Sequence, residues 1–203
     1  MRDLNIEGVA TIKGGEYGLL SVEGIGKCIG DIQAETLLVD GVFRCHGSIK
    51  AGSMSCDGLS QIHGNIQAEK ISIDGLMRVT GGTKIEATEI TCDGMISLSG
   101  EISADRIESD GFISADEIVG VSIHIRSRRN HFWEFFRSRQ SRIKLIEATD
   151  IDLRGVLAQT VNGTNVVIRS GCVIENLDCS GTLFIDHGAQ VRNLTGSYTR
   201  RDA

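Results

Sequence analysis

The sequence predicts an all-β fold, a parallel β-helix built from short coils of about seventeen residues. One observation is a recurring tripeptide of an apolar or small residue, an acid and a glycine. It appears as Val22-Glu23-Gly24, Val39-Asp40-Gly41, Cys56-Asp57-Gly58, Ile73-Asp74-Gly75, Cys92-Asp93-Gly94 and Ser109-Asp110-Gly111, at steps of seventeen with a single step of nineteen. A second is strand alternation inside each unit, Leu20 with Val22 and Ile32 with Ala34, in runs too short for a helical repeat or a hairpin meander. The third is composition: 25 glycines, no proline and only 4 % aromatic residues, which suits stacked regular turns around a narrow aliphatic core.

Residues 1–18 read as an imperfect first unit, with Ile6-Glu7-Gly8 standing where the tripeptide belongs. From Leu20 the units align in columns. Leu20, Leu37, Met54, Ile71, Ile90 and Ile107 form one, and Cys28, Cys45, Ile62, Val79 and Leu98 another. Ile32, Ile49, Ile66, Ile85 and Ile102 form a third, and Ala34, Ala51, Ala68, Ala87 and Ala104 a fourth. Stacking at about 4.8 Å makes each column an inward ladder. Extra residues at Gly82–Lys84 account for the step of nineteen.

The acid and glycine of the tripeptide read as a turn, the acid capping it and the glycine taking a positive φ. Stacking then lines up Glu23, Asp40, Asp57, Asp74, Asp93 and Asp110 on one outer edge, with Lys27, Arg44 and Arg78 nearby to offset the repulsion. Turn chemistry on a solvated edge is preferred here over a cation site. The sixth unit is read as missing about six residues after Ala115.

The repeat breaks after Ile125. Residues 122–145 hold seven Lys/Arg and one acid, so in a chain of net charge −6 everything else sums to −12. Four of the nine aromatic residues lie at 132–136, and Phe132, Phe135 and Phe136 have the spacing of one face of a short helix. The candidate contact residues of this insert are Arg128, Arg129, Phe132, Trp133, Phe135, Phe136, Arg137 and Arg139. Three readings of it stand side by side: an anionic membrane surface, a protein partner, or the flank of its own β-helix. The acidic body argues against nucleic acid.

From Ile143 the strand pattern returns. Ile151, Ile168 and Ile185 are seventeen apart, as are Ile174 and Val191, and Leu177 and Leu194. The chain therefore divides into N-terminal coils over 1–120, an insert over 121–145 and C-terminal coils over 146–203, expected to continue one stack. Nine to ten coils would give a rod of roughly 45 Å.

Catalytic, cofactor and metal-binding residues are expected to be absent. No nucleophile elbow, phosphate loop or dinucleotide fingerprint occurs. The six cysteines lack paired C-x-x-C spacing and read as core residues, with Cys28 above Cys45 one coil away. His46 and His63 stack in adjacent coils without a third ligand, since Thr80 and Ser99 follow them. A polar N-terminus without an apolar run leads to the expectation of a cytoplasmic protein.

The run Gly8…Gly14-Gly15-x-Tyr17…Val22-x-Gly24-x-Gly26…Ile29-Gly30-Asp31-Ile32, with its repeated Gly-x-Ile-x-Ala units, resembles the bactofilins, polymer-forming cytoskeletal proteins of bacteria. Asn165-Val-Val-Ile168…Gly171-Cys-Val-Ile174 looks like the later coils of the Gram-positive branch. The resemblance implies a right-handed β-helix that polymerises end to end without nucleotide. It also implies a scaffold peripheral to the inner face of the cell membrane, serving envelope or appendage assembly proteins.

Polymerisation follows from the coil geometry too, because an uncapped end exposes strand edges and an apolar section. The expected end contacts are Leu4, Ile6 and Ile12 at one end, and Leu183, Ile185, Val191 and Leu194 at the other. A hexapeptide-type acyltransferase and a non-polymerising adaptor are the alternatives. The glycine columns fall at alternating intervals of six and eleven, which disfavours a hexapeptide repeat.

Overall fold

The computed structural model describes residues 2–81, 84–127 and 140–201. They form a β-solenoid of about eleven turns, one or two more than the nine to ten expected. At about 4.8 Å per turn the rod is about 53 Å long.

The first strands are β1 (Arg2–Ile6), β2 (Val9–Val22), β3 (Ile25–Val39), β4 (Val42–His46), β5 (Ile49–Cys56) and β6 (Leu59–Ile62). They are followed by β7 (Ile66–Ile73), β8 (Leu76–Val79), β9 (Lys84–Cys92), β10 (Met95–Leu98) and β11 (Glu101–Ser109). The last are β12 (Phe112–Arg126), β13 (Ser141–Arg154), β14 (Val156–Ile168), β15 (Val173–Ile185), β16 (Gln190–Thr195) and β17 (Thr199–Arg200). The strands pair in parallel with the equivalent stretch one coil away, as β3 does with β5 and β5 with β7.

Each coil has three flat sides. One side carries the inward pair typified by Phe43 and Cys45, the next Ile49 and Ala51, the third Met54 and Cys56, all buried. The columns expected from the sequence are these ladders: Ile32 pairs with Ile49, Ile49 with Ile66, and Ile66 with Ile85. One inward column escapes a search for like residues. It runs Gly26, Phe43, Ser60, Met77, Ile96, and its members differ widely in size. Gly26 makes room for Phe43, since a Cβ there would sit 3.1 Å from the Phe43 ring. Volume is conserved between neighbouring coils rather than at each position.

Two expectations of register are corrected. The sixth unit is not six residues short. Ile102 pairs with Ile118, a step of sixteen, so one residue is lost at the corner where Asp116 and Glu117 both donate to Gly100 O. Ile151 pairs with Val166 rather than Ile168, and Leu153 with Ile168, both steps of fifteen. Corners absorb the missing residues because only the flat sides must stay in register.

β12 pairs directly with β13, Ile118 opposite Ile146, a step of 28 residues. The coils before and after the insert therefore form one continuous stack. Of the span 121–145, strands occupy 121–126 and 141–145.

Candidate functional site: the two ends and the interrupted corner

The tripeptide corner is held by backbone. Asp40 and Gly41 both donate their N–H to Val22 O, at 3.0 and 2.9 Å, and Asp57 and Gly58 to Val39 O, at 2.9 and 3.0 Å. The expected positive φ is absent from Gly24, Gly41, Gly58, Gly75, Gly94 and Gly111. Glycine is required there for another reason: a Cβ on Gly41, Gly58 or Gly75 would lie 2.0 Å from the carbonyl oxygen of the corner glycine one coil before. Capping by an acid occurs at a different corner, where Asp31 accepts from Ser48 N at 2.7 Å.

The insert leaves and re-enters the stack at this same corner. Ser127 Oγ and Ser141 Oγ are 2.8 Å apart and buried. Ile113 N donates to Ser141 Oγ at 3.0 Å, and Ser127 N to Arg154 O at 3.0 Å. The hydroxyl pair satisfies polar groups that the break in the repeat would otherwise leave bare. The candidate contacts Arg128, Arg129, Phe132, Trp133, Phe135, Phe136, Arg137 and Arg139, with their expected helix, lie outside the described residues.

Across the insert the edge changes sign. Ile6 pairs with Val22, so Glu7 joins Glu23 and the five aspartates from Asp40 to Asp110 in one ladder. Ser109 pairs with Ile125, which puts Arg126 next after Asp110. Arg126 pairs with Arg154, and Arg169 N donates to Leu153 O at 2.7 Å, so Arg154 and Arg169 follow in the same line. Asp186 closes it. Beside this line Asp152 accepts from Arg169 Nε at 2.7 Å and Nη2 at 2.9 Å, and from Arg126 Nη2 at 3.3 Å. Burial pushes the Asp152 carboxyl up, but the hydrogen bonds and charges of Arg169 and Arg126 outweigh it and hold it below the usual carboxylate value.

At the N-terminal end Ile6 is already buried, while Leu4 and Ile12 are half-buried against the core. Tyr17 fills the place below Ala34, its hydroxyl donating to Lys13 O at 2.9 Å and its ring lying 5.1 Å from the Arg2 guanidinium carbon. At the C-terminal end Leu183 is buried, and Ile185, Val191 and Leu194 are half-buried. Arg200 pairs with Leu183 and so holds an inward column position at the last coil. Among the described residues β1 pairs only with β2, and β16 and β17 only with β15, so each end presents an open strand edge.

The remaining candidates are packing or solvated surface. All six cysteines are buried free thiols. Burial pushes Cys92 up to about 12, and the hydrogen bond shared with Cys28, with burial added, pushes Cys45 up. His46 and His63 stack with centroids 4.9 Å apart, and His63 Nδ1 is 2.9 Å from Thr80 Oγ1, continuing a polar ladder. Among the described residues no group of three or more His, Cys, Asp or Glu is placed to hold a metal ion, and no helix is long and apolar enough to cross a membrane. Comparisons with protein-family models, with curated proteins and with solved structures find no match.

Proposed function

We propose that this protein is a non-enzymatic scaffold that joins copies of itself end to end, without nucleotide, at the inner face of the cell membrane. On this reading it organises envelope or appendage assembly there. The observation that carries it is the pair of open ends. Each presents unpaired backbone and a partly covered apolar section, with Leu4 and Ile12 at one end and Val191 and Leu194 at the other. Such an end is stabilised by pairing with another strand edge. The resemblance to bactofilins supports the same reading, and the basic-aromatic insert supplies the membrane or partner contact.

Electron microscopy of the purified protein at moderate salt, without nucleotide, is expected to show filaments. Val191→Lys/Leu194→Lys protein is expected to remain as short particles. Wild-type monomers at every concentration would remove the scaffold reading, and discrete trimers would favour the acyltransferase. Equal flotation on anionic vesicles by wild type and a Phe132/Trp133/Phe135/Phe136→Ala variant would remove the membrane contact.

A further inference from the structure

The flat side that encloses Phe43 and Cys45 has an outward face that the end-to-end reading does not use. Its strands alternate strictly: Gly26 and Cys28 are buried, while Ile25, Lys27 and Ile29 are exposed. Register stacks Val9, Ile25 and Val42 in one outward column and Thr11, Lys27 and Arg44 in the next. Lys13, Ile29 and His46 form the third. From Val9 to Thr80 no outward position on this side holds an acid, in a chain of net charge −6. Lys13, Lys27 and Arg44 are exposed and pair with no carboxylate among the described residues, whereas Lys70, Lys84 and Lys144 each have one. Interleaved with these cations, Val9, Ile25 and Ile29 are 82, 48 and 55 % exposed. The other exposed large hydrophobic residues among those described, Leu19, Val121 and Val173, are scattered singly along the rod.

We infer that this face of the first three coils is a contact for an anionic lipid bilayer. Val9, Ile25 and Ile29 enter the headgroup layer, where aliphatic side chains leave water, while Lys13, Lys27 and Arg44 meet lipid phosphates. The plane lets all six reach one surface together, since outward neighbours are about 7 Å apart along a strand and about 4.8 Å apart between coils. Both borders suit a flat apposed surface. At one, Asn5 Nδ2 donates to Glu7 Oε1 at 3.3 Å and to Glu23 Oε1 at 3.4 Å, which holds the first two acids of the ladder toward the adjoining side. At the other, Gly14, Gly30, Gly47 and Gly64 stack and put no side chain between the backbone and that surface. End-to-end joining extends the rod along its axis and leaves this side open.

The inference rests on the membrane location proposed above, but not on the insert as the contact. Flotation of the full chain is expected to show binding to vesicles of phosphatidylglycerol and phosphatidylcholine in equal amounts, and little to phosphatidylcholine alone. Lys13→Glu/Lys27→Glu protein and Ile25→Ser/Ile29→Ser protein are each expected to bind the mixed vesicles at least tenfold more weakly. Lys50→Glu/Lys70→Glu protein, with the same change in net charge on the other two sides, is expected to bind like wild type. Circular dichroism melts check that the variants stay folded; the charge and apolar pairs are independent, so either one decides. Wild type that binds while both face variants bind equally well would overturn the inference and leave the insert as the membrane contact. An equal loss in the Lys50/Lys70 variant, or equal binding to both kinds of vesicle, would overturn it as well. Wild type that floats with neither would remove the membrane location itself.

Discussion

The two halves of the rod solve the same corner differently. Before the insert the acid and glycine amides share one carbonyl, and the coil stacks so closely that a Cβ at Gly58 would lie 2.0 Å from Gly41 O. After it the corners carry arginine, and Gly155 and Gly171 sit at φ of +67° and +79°. At Gly155 a Cβ would lie 3.0 Å from Ser127 O, so the stacking there is looser. Glycine is thus demanded by stacking distance in one half and by backbone conformation in the other. The tight half is acidic and keeps this corner intact, its uneven coil steps of nineteen and sixteen falling at other corners. The loose half accepts a break in the repeat and coil steps of fifteen to seventeen.

The sharpest way to break this contrast is Gly58→Ala. No rotation relieves a backbone overlap, so the expected loss is about 3–5 kcal/mol. It is read as a drop in the urea midpoint at fixed protein concentration. A loss under about 1 kcal/mol would mean that the corner relaxes freely.

Ser141→Ala is expected to cost about 2 kcal/mol, since it leaves Ile113 N–H without its buried acceptor. Ser141→Thr keeps the hydroxyl and is expected to recover part of the loss.

Asp152→Asn probes the arginine corner and is expected to cost about 1–2 kcal/mol at neutral pH. The Asp152 carboxyl titrates below its unfolded value. Its contribution is therefore fully present above the unfolded pKa of about 3.9 and is lost as pH falls through the folded pKa. The difference between wild type and Asp152→Asn should shrink below about pH 4. A difference that grows with acidity would contradict the assigned partners.

Gly171→Ala is expected to cost least, about 1 kcal/mol, because only the left-handed backbone opposes it. If it cost as much as Gly58→Ala, the two halves would not differ as described.

The stacked fold was legible because each inward position must be refilled in every coil, which writes columns such as Ile32, Ile49 and Ile66 into the sequence. What escaped lies at corners and in compensations. Phe43 was hidden because Gly26, rather than a like residue, precedes it in its column. The register of Ile151 was hidden because Ile168 also lies seventeen residues on, while the corner at Gly155 and the next one, between Ala158 and Val161, each drop a residue and shorten that step to fifteen. The continuation of the acid ladder into Arg126, Arg154 and Arg169 was invisible for the same reason, since a step of 28 and one of fifteen replace the seventeen that reveals the rest. Of the expected end residues, Ile6 and Leu183 are buried, and Leu183 has the last coil, at Arg200, on its outer side.

Fibre diffraction or cryo-electron microscopy of the assembled protein tests the central claim most directly. End-to-end joining of these solenoids predicts a meridional reflection near 4.8 Å, with an axial repeat of about 53 Å or twice that. Discrete particles, or filaments whose axial repeat is unrelated to eleven coils, would contradict it.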